Sequence, residues 1–283
     1  MKSIYSLFLL SCILTTVSAC NYQPLQNHSQ ITFGIYPQTR ISSEILIESL
    51  EAVEQPETNG WYLFENEYYA KVVAEFDPRS THHFKNGDLI VSGNSYWFKC
   101  EPISWYVLED YGETYYLLSS LILDGHRFND YWTGVNENGF YPNNYEQSEI
   151  RNWLNSDFYE TAFSLEKSQV QTTTVNNNAS TTASKNNPYA CNDTKDKVFL
   201  PSYKDFLTTK FGFASTKNKT KSRCCEITDY AIIKDGSNFY WTRSPSNYPK
   251  CSWYVLYDGS MDCGYALVGA SFGIRPSIIL RKE

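Results

Sequence analysis

The sequence predicts an α+β fold, an antiparallel sheet at the C-terminal end with a few helices in the middle of the chain. Three observations lead there. Four segments near the end, 240–244, 253–257, 265–268 and 273–280, are rich in aromatic and β-branched residues, the types that strands favour. Asp258-Gly259 lies between two of them and is a strong hairpin signal. Further back, Ile150, Trp153 and Leu154 fall at i, i+3 and i+4, the spacing of one helical face.

From the start, residues 1–19 have the order of an export signal. Lys2 supplies a charge, an apolar run covers 4–14, and small residues follow up to Ala19. The run is shorter than the ~20 residues a membrane-spanning helix needs. Val17-Ser18-Ala19-Cys20 resembles the lipobox of bacterial lipoproteins. In that pattern the cysteine receives a diacylglyceryl group, with acyl chains such as palmitate, and holds the protein at the outer face of the membrane. Residues 20–30 form a polar tether, and 31–283 are expected to be one domain.

Within that domain, 31–39 alternates as a strand that stops at Pro37. Ile45, Leu46, Leu50 and Val53 give a helix over 42–53 with Ser43 as a cap. Segments 61–64 and 68–73 make a hairpin around Glu65-Asn66-Glu67. Segment 96–108 reads as a strand interrupted at Pro102, and 115–119 as its neighbour. Two helical pieces, 146–154 and 157–163, part at Asn155. Segment 171–196 is poor in hydrophobic residues and rich in Thr, Asn and Ser; it is expected to be a long exposed loop with one strand near 173–175. A strand ending at 198–202 leads to a short helix with Pro201 near its start. Segment 228–233 is helical in preference.

Composition excludes some classes. The net charge is −7, and no basic stripe suited to nucleic acid is evident over the chain as a whole. Tyr, Phe and Trp make up 16% of the residues. Such rings either fill a β-rich core or stack on sugars and peptides. Cys12 lies within the signal, and Cys20 is expected to carry the lipid, the other reading being an ordinary thiol left by cleavage after Ala19. Cys100, Cys191, Cys224, Cys225, Cys251 and Cys263 remain, an even number for an exported domain. Cys251 and Cys263 flank the hairpin and are the first choice for a disulfide; buried free thiols are the other reading. No C-x-x-C or H-E-x-x-H occurs, and His28, His82, His83 and His126 have poor metal spacing. No cofactor or metal is expected. Asp124-Gly125-His126 reads equally as a turn or a site.

The stretches FGIYPQT, YWFKCEPISWYVL, EIRNWLNSDFYETAF, DKVFLPSYKDF, TDYA, YWTRSP and GIRPSIIL resemble, in this order from residue 31 to 280, a bacterial domain family of unknown function found on exported proteins and lipoproteins. Its end motifs, aromatic-aromatic-x-Arg-Ser-Pro and Gly-Ile-Arg-Pro, are similar to those of the C-type-lectin-like fold shared distantly with formylglycine-generating enzymes. That resemblance implies a lectin-like core over 96–283. Arg243 and Arg275, with Trp241 and Trp153, would then order the fold. The calcium-binding loop of true lectins has no counterpart: Glu101-Pro102 is followed by Ile103, and Trp-Asn-Asp is missing. The surroundings of Cys251 and Cys263 likewise do not resemble a copper site.

The functional expectation is a surface lipoprotein acting as a binding, adhesion or structural module for a glycan or protein ligand. Loop 171–196 and the region of Tyr248 and Trp253 are its expected contact surfaces. The alternative is a cell-surface enzyme acting on glycan or envelope material, for which Glu146, Glu149 and Asp157 are the carboxylates at hand. No catalytic residue is assigned, and an enzyme is the less favoured reading.

Overall fold

The computed structural model describes residues 25, 28–57, 59–76, 81–131, 133–234, 237–263 and 271–282. The signal segment, Cys20 and the expected strand at 265–268 lie outside the described residues.

Strand β1 (Gln30–Arg40) runs straight through Pro37. Among the described residues β1 pairs with one strand only, and its register shifts between Pro37 and Thr39. Edges and bulges are where a missing N–H is tolerated. Helix α1 (Glu44–Glu51) begins as expected, with the Ser43 hydroxyl accepting the Leu46 N–H. Strands β2 (Tyr62–Phe64) and β3 (Glu67–Val73) form the hairpin. Glu65 and Asn66 both have positive φ, the twist that suits a two-residue hairpin turn. A small pair follows, β4 (His82–His83) and β5 (Leu89–Ile90).

Strand β6 (Ser95–Asp110) is sixteen residues long and has no break at Pro102. One edge of β6 carries β1. The other carries β3 on residues 95–99 and β7 (Thr114–Ser119) on residues 105–110. Pro102 falls in the gap between β3 and β7, so the strand continues past it with that stretch of edge unpaired.

Next come β8 (Leu121–Ile122) and β9 (Asp124–Arg127). The two expected helical pieces are one continuous run: α2 (Glu149–Trp153), a π-helical turn Leu154–Phe158, and α3 (Tyr159–Ala162). Asn155 explains the join. Its amide donates to the carbonyls of Arg151 and Val198, while its oxygen accepts the N–H groups of Lys197 and Val198. A residue expected to separate two helices instead fastens the run to the strand beyond.

Segment 171–196 is bracketed by β10 (Thr173–Val175) and β11 (Thr194–Asp196). It is not a free loop. Asn177 and Asn187 are buried, and Asn187 donates its amide to the Pro245 carbonyl at 2.8 Å. Strand β12 (Val198–Phe199) is followed by 3-10 turns at Asp205–Leu207, Thr209–Phe211 and Lys221–Arg223, the first of them within the short helix expected after Pro201. Then come β13 (Glu226–Ile227) and helix α4 (Asp229–Ile233), capped by Thr228. Strands β14 (Tyr240–Pro245), β15 (Ser252–Val255), β16 (Met261–Asp262), β17 (Ser271–Ile274) and β18 (Ser277–Arg281) complete the order.

Two sheets dominate. The larger runs β12-β18-β7-β6-β3-β2, with β1 on the free edge of β6; the smaller runs β16-β15-β14-β17-β9. Segment 273–280, expected as one strand, changes sheet at Arg275-Pro276: β17 belongs to the smaller sheet and β18 to the larger. One core joins the sheets to the helical run, through Phe33, Trp105, Phe158, Phe163, Trp241 and Tyr254. Trp105 and Trp241 are fully buried in it. The fold is mixed α+β, with more strand than helix.

Candidate functional site

Strands β1, β3 and β9, the helical run and α4 converge on a cleft of about 330 Å³. Its chemistry centres on Asp124, the first residue of β9, which is buried. The Tyr36 hydroxyl from β1 donates to one carboxylate oxygen at 2.5 Å, and the Gly125 N–H donates to the other at 2.7 Å. Burial pushes this carboxyl above the ordinary range, against the opposing pull of Lys234, the Tyr36 hydroxyl, the Gly125 N–H and His126. Burial, and next the charge of Asp124, hold the Tyr36 and Tyr230 hydroxyls well above their usual value. The Tyr36 and Tyr230 rings meet edge-on at 5.5 Å.

His126 lies two residues along β9 and shares the face of Asp124. Its ring stacks on Trp153 of α2, with centroids 4.7 Å apart. Nδ1 sits 2.7 Å from the Arg127 carbonyl, a contact that requires the proton on Nδ1 and leaves Nε2 of the neutral ring as an acceptor. Asp157, on the π-helical turn, and Lys234, just past α4, complete the polar wall. Trp61 and Lys71 close the side nearest β2 and β3. Lys71 is drawn to Glu51, at 2.5 Å. The cleft thus combines flat rings, a buried carboxyl biased toward its neutral form, an exposed carboxylate and two lysines. It can stack against a ring-shaped ligand and bond its hydroxyls.

The residues singled out from sequence are not gathered into one site. Trp153 edges the cleft. Trp241 lies deeper, stacked on Phe272 at 4.6 Å, with its indole N–H donating to the His126 carbonyl at 3.0 Å. Arg243 donates to the Leu200 carbonyl and to Asp205, both at 2.8 Å, and to the Asn176 carbonyl at 3.3 Å. Arg275 donates to the Ser119 carbonyl at 3.0 Å and to the Tyr240 hydroxyl at 3.1 Å. Tyr248 is 68% exposed. Trp253 is only 8% exposed and packs on Tyr203 at 4.5 Å, so it does not face outward beside Tyr248. Cys251 and Cys263 are free thiols in the structure, as are the four other cysteines in the described residues. Among the described residues no three of His, Cys, Asp and Glu gather as metal ligands.

Arg223 escaped the sequence reading. It is fully buried, and its five donor contacts go to backbone carbonyls: Gly259 at 2.7 Å, Phe206 and Ala214 at 3.0 Å, Thr216 at 2.8 Å and Asn218 at 2.6 Å. Burial pulls its guanidinium below the ordinary value. The only signal was an arginine closing a Lys- and Thr-rich loop, which usually marks a solvated turn.

The chain is therefore a mixed α+β domain with two sheets on a shared aromatic core and a cleft of rings and charges at one side. Residues 112–282 match the family model described as a domain of unknown function, DUF6273, and the chain belongs to that family. The match starts between β6 and β7, so it omits the FGIYPQT and YWFKCEPISWYVL stretches included in the resemblance. It contains Asp124, His126, Trp153, Asp157, Tyr230 and Lys234, while Tyr36, Trp61 and Lys71 reach the cleft from the preceding segment. No curated protein and no solved structure matches the chain.

Proposed function

We propose that this protein is a bacterial surface lipoprotein, held at the outer face of the membrane by a lipid on Cys20, whose C-type-lectin-like domain binds an extracellular glycan in the cleft at Asp124. Residues 1–20 support the anchor. The observation that carries the binding reading is the stacked His126–Trp153 pair beside Asp157 and buried Asp124. An aromatic platform takes the apolar face of a sugar ring, and the carboxyl groups bond its hydroxyls. The cleft volume suits a small ligand.

The test is a glycan array followed by calorimetry on the purified chain. Trp153→Ala and Asp157→Asn should each weaken binding at least about tenfold, the loss of roughly one good contact. Tyr248→Ala should leave it unchanged. Absence of saturable binding to glycans, with none to proteins of its own or a host surface, would defeat the reading.

A surface enzyme is the second reading, favoured by one feature: a buried carboxyl held toward its protonated form opens on the same cleft as the exposed carboxylate of Asp157. A carboxyl held toward its protonated form is what the general acid of a glycosidase requires. Turnover of a bound glycan that stops in Asp124→Asn would select it over binding alone.

A further inference from the structure

The chain carries −7 overall, yet residues 204–223 contain Lys204, Lys210, Lys217, Lys219, Lys221 and Arg223 against one acid, Asp205. Part of this charge is already matched. Asp205 pairs with Arg243 at 2.8 Å, Lys210 pairs with Glu109 at 2.6 Å, and Arg223 is buried. Lys217, Lys219 and Lys221 are exposed, and among the described residues no ion pair reaches them. The acid facing them is Asp258; burial raises its carboxyl, two bonds from Ser260 more than offset this, and Lys219 adds to the lowering.

The loop that carries these lysines is held in shape. Arg223 draws in the carbonyls of Ala214, Thr216 and Asn218, at alternate positions. The Ala214 N–H bonds the Ser222 hydroxyl at 3.2 Å. Gly259 (φ +76) packs so closely on this loop that an added Cβ would lie 1.9 Å from the Thr220 carbonyl oxygen. The three lysines therefore stand on a fixed ridge.

The second observation is where the chain enters the domain. Leu25 is buried with Phe206 and Phe213. Leu25 and His28 lie directly on Gly212: a Cβ there would come within 2.9 Å of the His28 ring and 3.4 Å of the Leu25 side chain. Four residues separate Leu25 from Cys20. Fully extended, that stretch spans about 18 Å. A lipid on Cys20 thus keeps the Leu25–Gly212 side of the domain next to the bilayer, and the lysine ridge begins on the same loop a few residues beyond Gly212.

We propose that Lys217, Lys219 and Lys221 form a docking surface for the anionic phospholipid headgroups of the membrane that holds the anchor, setting the domain's orientation on it. The inference rests on the anchor reading for its geometry. Headgroup charge attracts lysines over about one Debye length (~10 Å), a distance that a tether of about 18 Å lets the loop reach. A tether too long to hold the domain there would make the same lysines irrelevant.

The test uses the chain from Asn21 onward, which keeps every described residue and lacks the lipid. Sedimentation with phosphatidylcholine vesicles, with and without phosphatidylglycerol, measures binding. Wild type should bind only the anionic vesicles, and less as salt rises. The combined variant Lys217→Gln, Lys219→Gln and Lys221→Gln should bind about a hundredfold more weakly, since each lysine near an anionic surface contributes roughly fivefold. If the triple variant melts early, Lys219→Gln alone should show the fivefold loss. Equal binding to neutral vesicles, binding that survives the triple substitution, no vesicle binding, or preference for a soluble polyphosphate over vesicles would each overturn the proposal. Intact mass of the native protein tests the anchor separately. A lipidated mass with no vesicle binding defeats the docking surface alone; a plain mass with vesicle binding defeats the anchor alone.

Discussion

Replacing Arg223 with methionine should destabilise the domain by about 2–4 kcal/mol. The side chain has the length to fill the space but no donors. Two of the five carbonyls, those of Gly259 and Phe206, are bonded in fully buried surroundings. Each stranded there costs about 1–3 kcal/mol. The other three, on Ala214, Thr216 and Asn218, are only partly buried; water can reach them once the loop loosens, at about 0.5–1.5 kcal/mol each. Against these losses stands the relief of no longer burying a cation without a carboxylate partner, itself worth several kcal/mol. The net is a large fraction of the about 5–15 kcal/mol that holds a domain together. Urea unfolding followed by tryptophan fluorescence measures it, and trypsin reports the loop, which should be cut faster at Lys217, Lys219 and Lys221. Arg223→Lys, with three donors for five carbonyls, should fall between. A loss below about 1 kcal/mol with unchanged cutting would refute the view that this guanidinium organises the loop.

Two further outcomes follow from the cleft and the hairpin. The Asp124 carboxyl is raised in the folded state above its ordinary value of 3.8; the folded protein therefore binds this proton more tightly than the unfolded chain. The resulting stability is full below pH 3.8 and is lost as pH rises through the folded value. Asp124→Asn, neutral at every pH, should gain melting temperature relative to wild type across that rise; parallel melting curves against pH would count against it. Cys251 and Cys263 lie near enough for a charge on Cys251 to raise the Cys263 thiol further, beyond the effect of burial. In an oxidising compartment they are the pair proposed to join, and alkylation mapping of the native protein should find both protected together; free reaction of both would exclude the bond.

Local chemistry was readable in the sequence where it acts over a few residues. Ser43 announced a helix start, Glu65-Asn66 a turn, and Asp258-Gly259 a hairpin, because caps and turns are satisfied by adjacent atoms. What distant partners decide was not readable. Pro102 breaks a strand on local grounds, yet an edge left unpaired between β3 and β7 removes the penalty. Asn155 reads as a separator, but four bonds to residues 151, 197 and 198 make it a fastener. The polar stretch 171–196 lacks a hydrophobic pattern because buried amides fix it, Asn177 and Asn187 among them. The cleft was the least legible part. Asp124 and His126 share a strand, while Tyr36, Trp153 and Tyr230 come from three other places in the chain, and no short motif records their meeting.

The position of β18 sets the order in which the protein can be built. Strand β18 is an interior strand of the larger sheet, held between β12 and β7, with Ser277 opposite Leu118 and Arg281 opposite Thr114. A growing chain cannot close that sheet until residues 277–281 emerge. Until then β7 keeps an open edge, and contacts more than a hundred residues apart must wait for loop closure. Closure of the larger sheet is consequently a late step. Loss of residues 277–281 would act as a central deletion, leaving the larger sheet split between β7 and β12.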